Sequence, residues 1–206
     1  MAKRGFYFAR LMKDKQVVCK ENGEAILSYP EAQIPEYQTA HAAGADFFCA
    51  EEVTIPSIWH GVFRVISEWS AHVIRGIGRA VTGKNFEGDL KKELDGIFAP
   101  TFVHTGIKAS MYEDEVLKLF NRSSNPGKLG LVLANSVGVV DADYFENTTN
   151  DGEIMFAFYN FKPWSITLKV GDRIGQGVFE KFLRPEENCK IKGVVRQSGF
   201  GSTDNQ

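Results

Sequence analysis

The sequence predicts a mainly β protein with one helical insertion and a loose C-terminal arm, and three observations carry that expectation. Short β-branched and aromatic runs at 53–55, 101–103, 116–120, 129–133, 154–159 and 166–170 alternate with Gly, Pro, Asn and Asp, the punctuation of strands joined by turns. Glycine accounts for 20 of the 206 residues, which suits tight turns better than long helices. Residues 67–99 break the pattern. There Ile66, Trp69, Val73, Ile74, Ile77 and Val81 recur at steps of three and four, which is a helical stripe. Gly83 is placed to end that helix, and Leu90, Leu94, Ile97 and Phe98 repeat the stripe after Asp89, a good capping residue. The chain therefore divides into a discontinuous β core (1–66 and 100–196), an inserted helical segment (67–99) and an arm (197–206). The arm is polar, rich in Gly and Ser, and holds one aromatic, Phe200; such a segment cannot pack by itself and is expected to stay mobile until a ligand orders it.

Composition narrows the function classes. Hydrophobic residues make up 43% and charged residues 24%, ordinary for a globular domain. A net charge of −2 argues against a nucleic-acid partner, which needs a broad basic face. Any basic site must be local. Cys19, Cys49 and Cys189 show no metal-ligand spacing, and their odd number fits reduced thiols better than disulfides. The run of apolar residues never reaches the ~18 of a membrane span. A soluble, cytoplasmic protein with no membrane partner is the expectation.

The chemistry concentrates in residues 121–144. Arg122, Ser123 and Ser124 form a basic, hydroxyl-rich turn suited to phosphate oxygens, because a guanidinium and hydroxyls are directional donors. An apolar run follows, and after it Asn135, Gly138 and an acidic pair, Asp141 and Asp143, beside Tyr144. That order, a phosphate grip, a buried strand and then a carboxylate next to an aromatic, is what a nucleotide hydrolase requires.

This stretch resembles motifs two and three of the trimeric dUTPase family, which splits dUTP into dUMP and pyrophosphate. Ala-Ala-Gly-Ala-Asp-Phe (42–47) is similar to the family's first motif, Gly-Asp-Arg-Ile-Gly-Gln (171–176) to the fourth, and Gly-Phe-Gly-Ser-Thr (199–203) to the fifth. The resemblance implies a jelly-roll-like β-barrel fold, a homotrimer and Mg²⁺ as cofactor. It makes Asp141 the carboxylate that activates water. Tyr144 would stack beneath the deoxyribose. A hairpin around Asn135, Gly138, Val139 and Val140 would read the uracil edge through its backbone, with Met155 closing the other side. Arg122, Ser123, Ser124 and Gln176 would hold phosphates, Phe200 would stack on the base, and Arg196, Gly201 and Ser202 would close over the γ end. Asp46 would act on Mg²⁺ indirectly, through water. His41, His60, His72 and His104 show no ligand spacing and read as structural.

Two departures from the family pattern stand out. Tyr144 is followed by Phe-Glu-Asn-Thr-Thr-Asn-Asp before Gly152, which resembles the longer tip of phage and low-GC Gram-positive forms and reads as a lengthened solvent loop. The fifth motif is one residue shorter after Arg196 than the commoner form. Among rival readings, the related dCTP deaminases need a glutamate where Ala157 stands here. A regulatory binding protein that uses the 67–99 insert for a protein partner is the alternative of a different class.

Overall fold

The computed structural model describes residues 3–10, 17–21, 24–29, 31–76 and 99–187 of the chain. The described elements run β1 (Gly5–Phe8), β2 (Val17–Glu21), β3 (Glu24–Ser28), β4 (Ala45–Phe48), β5 (Val53–Ile55), α1 (Ile58–Gly76), β6 (Thr101–His104), β7 (Ile107–Ser110), β8 (Glu115–Asn121), β9 (Leu131–Leu133), β10 (Gly138–Asp141), β11 (Met155–Asn160), β12 (Ile166–Leu168) and β13 (Arg173–Lys181). Each of the six runs read as strands contains one. The largest sheet has the order β10-β8-β13-β4, a second has β6-β11-β9, and β1-β7, β12-β5 and β2-β3 pair separately. All these ladders are antiparallel. The result is a mainly β, jelly-roll-like fold.

Aromatic packing closes the two larger sheets on each other. Phe47 of β4 and Phe156 and Phe158 of β11 are essentially unexposed, and burying each ring contributes about 1.5–3 kcal/mol. The Phe47 and Phe156 rings lie 5.5 Å apart. They fit because β13 offers glycine where they land. A Cβ on Gly177 would stand 2.6 Å from the Phe47 ring, and one on Gly175 would run into the ring of Phe156. Between these glycines the strand alternates, so Gln176 is carried to the other face of the sheet.

The helix begins at Ile58, nine residues before the boundary expected from the sequence. Its first two turns, with Trp59, Val62, Phe63 and Val65, are as β-branched and aromatic as a strand, which hid them. The missed signal is Ser57, whose Oγ accepts the Trp59 N–H at 3.1 Å and so caps the first turn. Trp59 ties the helix to the core by donating its indole N–H to the Phe161 carbonyl at 3.0 Å. The second helical stripe, at 90–98, lies outside the described residues. Among the described residues no helix is long and apolar enough to cross a membrane.

The expected strand at 129–133 starts only at Leu131. Residues Asn125–Leu129 instead make one π-turn that ends at Gly130 with φ 67°. A proline at the turn's start and a left-handed residue at its end keep this segment from extending.

Candidate active site

Three of the motif segments meet at one edge of the four-stranded sheet. Asp46 on β4 stands in register with Gln176 on β13, and Gln176 donates its amide Nε2 to Asp46 Oδ1 at 2.8 Å. Arg173 donates to Asp46 Oδ2 at 3.2 Å. The Asp46 carboxylate is only 2% exposed, so this pair of donors is what makes its burial tolerable. Arg122 reaches across from the turn after β8 and donates to the Arg173 carbonyl at 3.0 Å. Asn125, fully buried, donates to the Ile174 carbonyl and to Asn121 Oδ1, both at 2.8 Å, and so fixes the turn against β13. Ser123 is exposed and Ser124 half-buried beside it, and Ser124 precedes the π-turn without capping it through its hydroxyl. Two guanidinium groups, an amide and two hydroxyls thus gather at one surface. Such a set can grip a polyphosphate.

Arg173 and Asn125 belong to this corner although the sequence reading assigned neither. Arg173 was visible as the Arg of Gly-Asp-Arg-Ile. Asn125 showed no signal, since an Asn before Pro looks like any turn.

Asp141 and Tyr144 form a second corner. Asp141 ends β10, opposite Val116 of β8, and lines a cavity of about 910 Å³ with Met111, Tyr112, Glu115, Asp143 and Phe182. The chain then makes a single 3₁₀ turn, Ala142–Tyr144, which leaves Tyr144 only 6% exposed. Glu115, beside Asp141 in the same cavity, is held below the usual carboxylate range. The Arg4 guanidinium is the main cause, and the Tyr112 N–H adds to it; burial opposes both.

The expected hairpin around Asn135–Val140 is corrected by the topology. β9 belongs to the three-stranded sheet and β10 to the four-stranded one, so residues 134–137 carry the chain between sheets. Ser136 takes a left-handed φ of 59° there. Asn135 and Val139 are exposed, whereas Gly138 and Val140 are buried. Gly138 packs tightly against β8, where a Cβ would sit 3.0 Å from that of Leu119. Met155 opens β11, half-buried and paired with His104.

The extra tip after Tyr144 is a solvent loop only in part, with Glu146, Thr148 and Thr149 exposed. Asn147 and Asp151 are buried, and their polarity is spent on internal hydrogen bonds, which composition alone cannot distinguish from hydration. His104 is structural, with Nδ1 3.1 Å from the Glu153 carboxylate. Cys49 is a buried free thiol whose pKa burial pushes up to about 11, so it is inert as a nucleophile. Arg196, Phe200, Gly201 and Ser202 lie outside the described residues.

The two corners are far apart in one chain. Gln176 stands opposite Phe120 on β8 and Asp141 opposite Val116. Four residues along the strand and two inter-strand steps put them roughly 17 Å from each other.

Fold and site together define a β protein that gathers cationic and polar donors at one sheet edge and carries Asp141 and Tyr144 at the end of another strand. Residues 95–204 match the dUTPase family model. The chain is 33% identical over 182 residues to a deoxyuridine 5′-triphosphate nucleotidohydrolase of Lactococcus lactis, covering 87% of this chain and 95% of that one. It is 30% identical to the corresponding protein of Wolinella succinogenes, covering 85% and 89%. A solved dUTPase of Streptococcus mutans superposes with a TM-score of 0.57 at 32% identity, covering 89% of this chain and all of that one. The dUTPase of staphylococcal bacteriophage 80alpha, at 18% identity and a TM-score of 0.50 over 84% and 93% of the two chains, shares the fold. The chain belongs to the dUTPase family and is an enzyme of it.

Proposed function

We propose that the chain hydrolyses dUTP to dUMP and pyrophosphate. One observation carries the reading: the in-register meeting of Asp46 with Gln176 and Arg173, beside Arg122, in a member of this family. Water attacks the α-phosphorus in line and the bond to the bridging oxygen of the β-phosphate breaks, so pyrophosphate leaves. Asp141 orients that water and takes its proton. Arg122, Ser123, Ser124 and Gln176 hold the phosphates, and spreading their charge is most of the catalytic work. Tyr144 supports the sugar; the backbone at Asn135, Gly138, Val139 and Val140, with Met155, reads the base. Arg196, Phe200, Gly201 and Ser202 close the site.

Mg²⁺, when bound, supplies positive charge to the triphosphate. Both oxygens of Asp46 already accept from Gln176 and Arg173. Among the described residues no cluster of three His, Cys, Asp or Glu is arranged around a metal position. The residue that would face the ion's water shell is Asp46, while phosphate oxygens would carry the ion itself.

The separation of the corners supports a site shared between copies, as in the homotrimer that the family resemblance implies. A general base must stand within hydrogen-bond reach of its water, and roughly 17 Å is far beyond that. Asp141 of one copy therefore serves the phosphate corner of another. Pyrophosphate release from dUTP against dCTP, dTTP and UTP, with and without Mg²⁺, tests the activity. Equal rates for dUTP and UTP, or none for either, refute it. The deaminase reading is disfavoured by Ala157, a buried residue on β11 with no proton to offer.

A regulatory role through the insert is the second reading. It draws on the part of α1 that leads into the 67–99 insert, where Trp59, Phe63 and Ile66 are left 41%, 64% and 55% exposed.

A further inference from the structure

We infer that Asn150 is a positioning residue for sugar discrimination, acting through the Tyr144 hydroxyl, and that Lys108 locks the loop that carries it. The inference rests on the dUTPase reading of Tyr144 and adds residues that the five motifs do not contain.

Tyr144 Oη donates to the Glu153 carbonyl at 3.0 Å and accepts from Asn150 Nδ2 at 2.8 Å. A donor on one side and an acceptor on the other fix where the hydroxyl hydrogen points, and with it the ring. Asn150 is itself held. Its Oδ1 accepts from Asn147 Nδ2 at 2.8 Å and from the Gly152 N–H at 3.3 Å. Asn147 also donates to the Tyr144 carbonyl at 3.0 Å, and its Oδ1 takes the Thr149 and Asn150 N–H groups. The loop thus closes on both ends of one tyrosine.

Such a loop is strained, and Lys108 sits at the strain. Glu146 and Asp151 both adopt φ of 57°, a conformation non-glycine residues rarely take. Their carboxylates are the two that Lys108 Nζ binds, at 3.0 and 2.9 Å. Lys108 is 3% exposed, and its ammonium lies 5.0 Å from the Phe145 ring centre. Asp151 also accepts the Arg10 N–H at 2.7 Å. A buried cation with two carboxylates pins both left-handed corners at once. Gly152, with φ 80°, completes the return, because a Cβ there would meet the Tyr144 carbonyl at 2.6 Å. A ring that must exclude a 2′-hydroxyl gains nothing from contact unless it cannot yield. The loop supplies that rigidity.

The test is the ratio of kcat/KM for dUTP over UTP in Asn150→Asp. This variant keeps the shape and the Oδ1 bonds of the loop but replaces the amide that donates to the Tyr144 hydroxyl at 2.8 Å and to the Glu153 carbonyl at 3.3 Å with an oxygen that can only accept. We expect the ratio to fall about five- to tenfold, the worth of one hydrogen bond, mainly by faster UTP turnover. In a Tyr144→Phe background the same change should have no further effect on the ratio. Lys108→Met should lower the ratio in the same direction; it also serves if Asn150→Asp fails to fold. An unchanged ratio in a folded variant, or an effect of Asn150→Asp that persists without the hydroxyl, overturns the inference. A parent protein that does not discriminate dUTP from UTP would instead overturn the dUTPase reading.

Discussion

The Asp46 corner, proposed to hold phosphate, and the Asp141 corner of the four-stranded sheet are built in opposite ways. At the first, Asp46, Arg173, Gln176 and Arg122 come from three separate segments and meet through side-chain hydrogen bonds across adjacent strands. At the second, Asp141 and Tyr144 are three residues apart on one segment, and the groups that hold Tyr144 come from the loop just after it. The first is assembled by tertiary pairing and the second by local geometry. Among the described residues, Arg122, Arg173 and Gln176 gather around Asp46, whereas Asp141 shares its cavity with Glu115 and Arg184, so the groups that the proposed reaction needs are divided between the two corners.

The largest effect is expected at Asp141, the proposed base. Asp141→Asn should lower dUTP turnover by about 10²–10⁴-fold while leaving nucleotide binding largely intact; single-turnover kinetics with equilibrium binding separates the two. Mixing two variants separates the roles of the two corners. Arg122→Ala is expected to be inactive for a different reason, and co-refolding it with Asp141→Asn should restore activity that neither variant shows alone. A site formed within one chain could not be rescued in this way, since no chain in the mixture carries both residues.

Smaller effects follow at the edges of the two corners. Phe200→Ala should cost about ten- to hundredfold in turnover, as loss of one base–aromatic stack is worth about 1–3 kcal/mol. Truncation after Arg196 should do at least as much damage, read in the same steady-state assay. If truncation leaves the parental rate, the arm contributes nothing to either corner.

The smallest effect is on stability beside Asp141. The Glu115 carboxyl is depressed in the folded state by Arg4, so its contribution is complete above the unfolded value of about 4.3 and is lost as pH falls through the folded one. Tm should therefore decline below about pH 4.3, and Arg4→Met should flatten that decline. An identical pH slope in the variant would show that this ion pair does not couple to folding.

Much of the β core was legible because its runs are locally apolar and bounded by turn residues, as at 116–120 and 154–159. β13 and β10 were not. Gly175 and Gly177 look like turn punctuation, yet they are glycine because aromatic rings from β11 and β4 occupy the space a side chain would need. α1 began early for a related reason: its first turns have a strand's composition, and only the Ser57 cap and the Trp59 anchor to Phe161 make them helical.

The residue types that the proposed reaction needs were visible in the chain, with Arg122, Asp141, Asp143 and Tyr144 in order along one segment, and the family resemblance singled out Asp141 from Asp143. Tertiary structure decided their company. Whether Asp46 meets Arg173 and Gln176, whether the loop after Tyr144 is solvent or buried scaffold, and how far Asp141 stands from the phosphate corner all depend on strand register. Register is set by which faces must be buried together, a condition on the whole core that no local stretch of sequence contains.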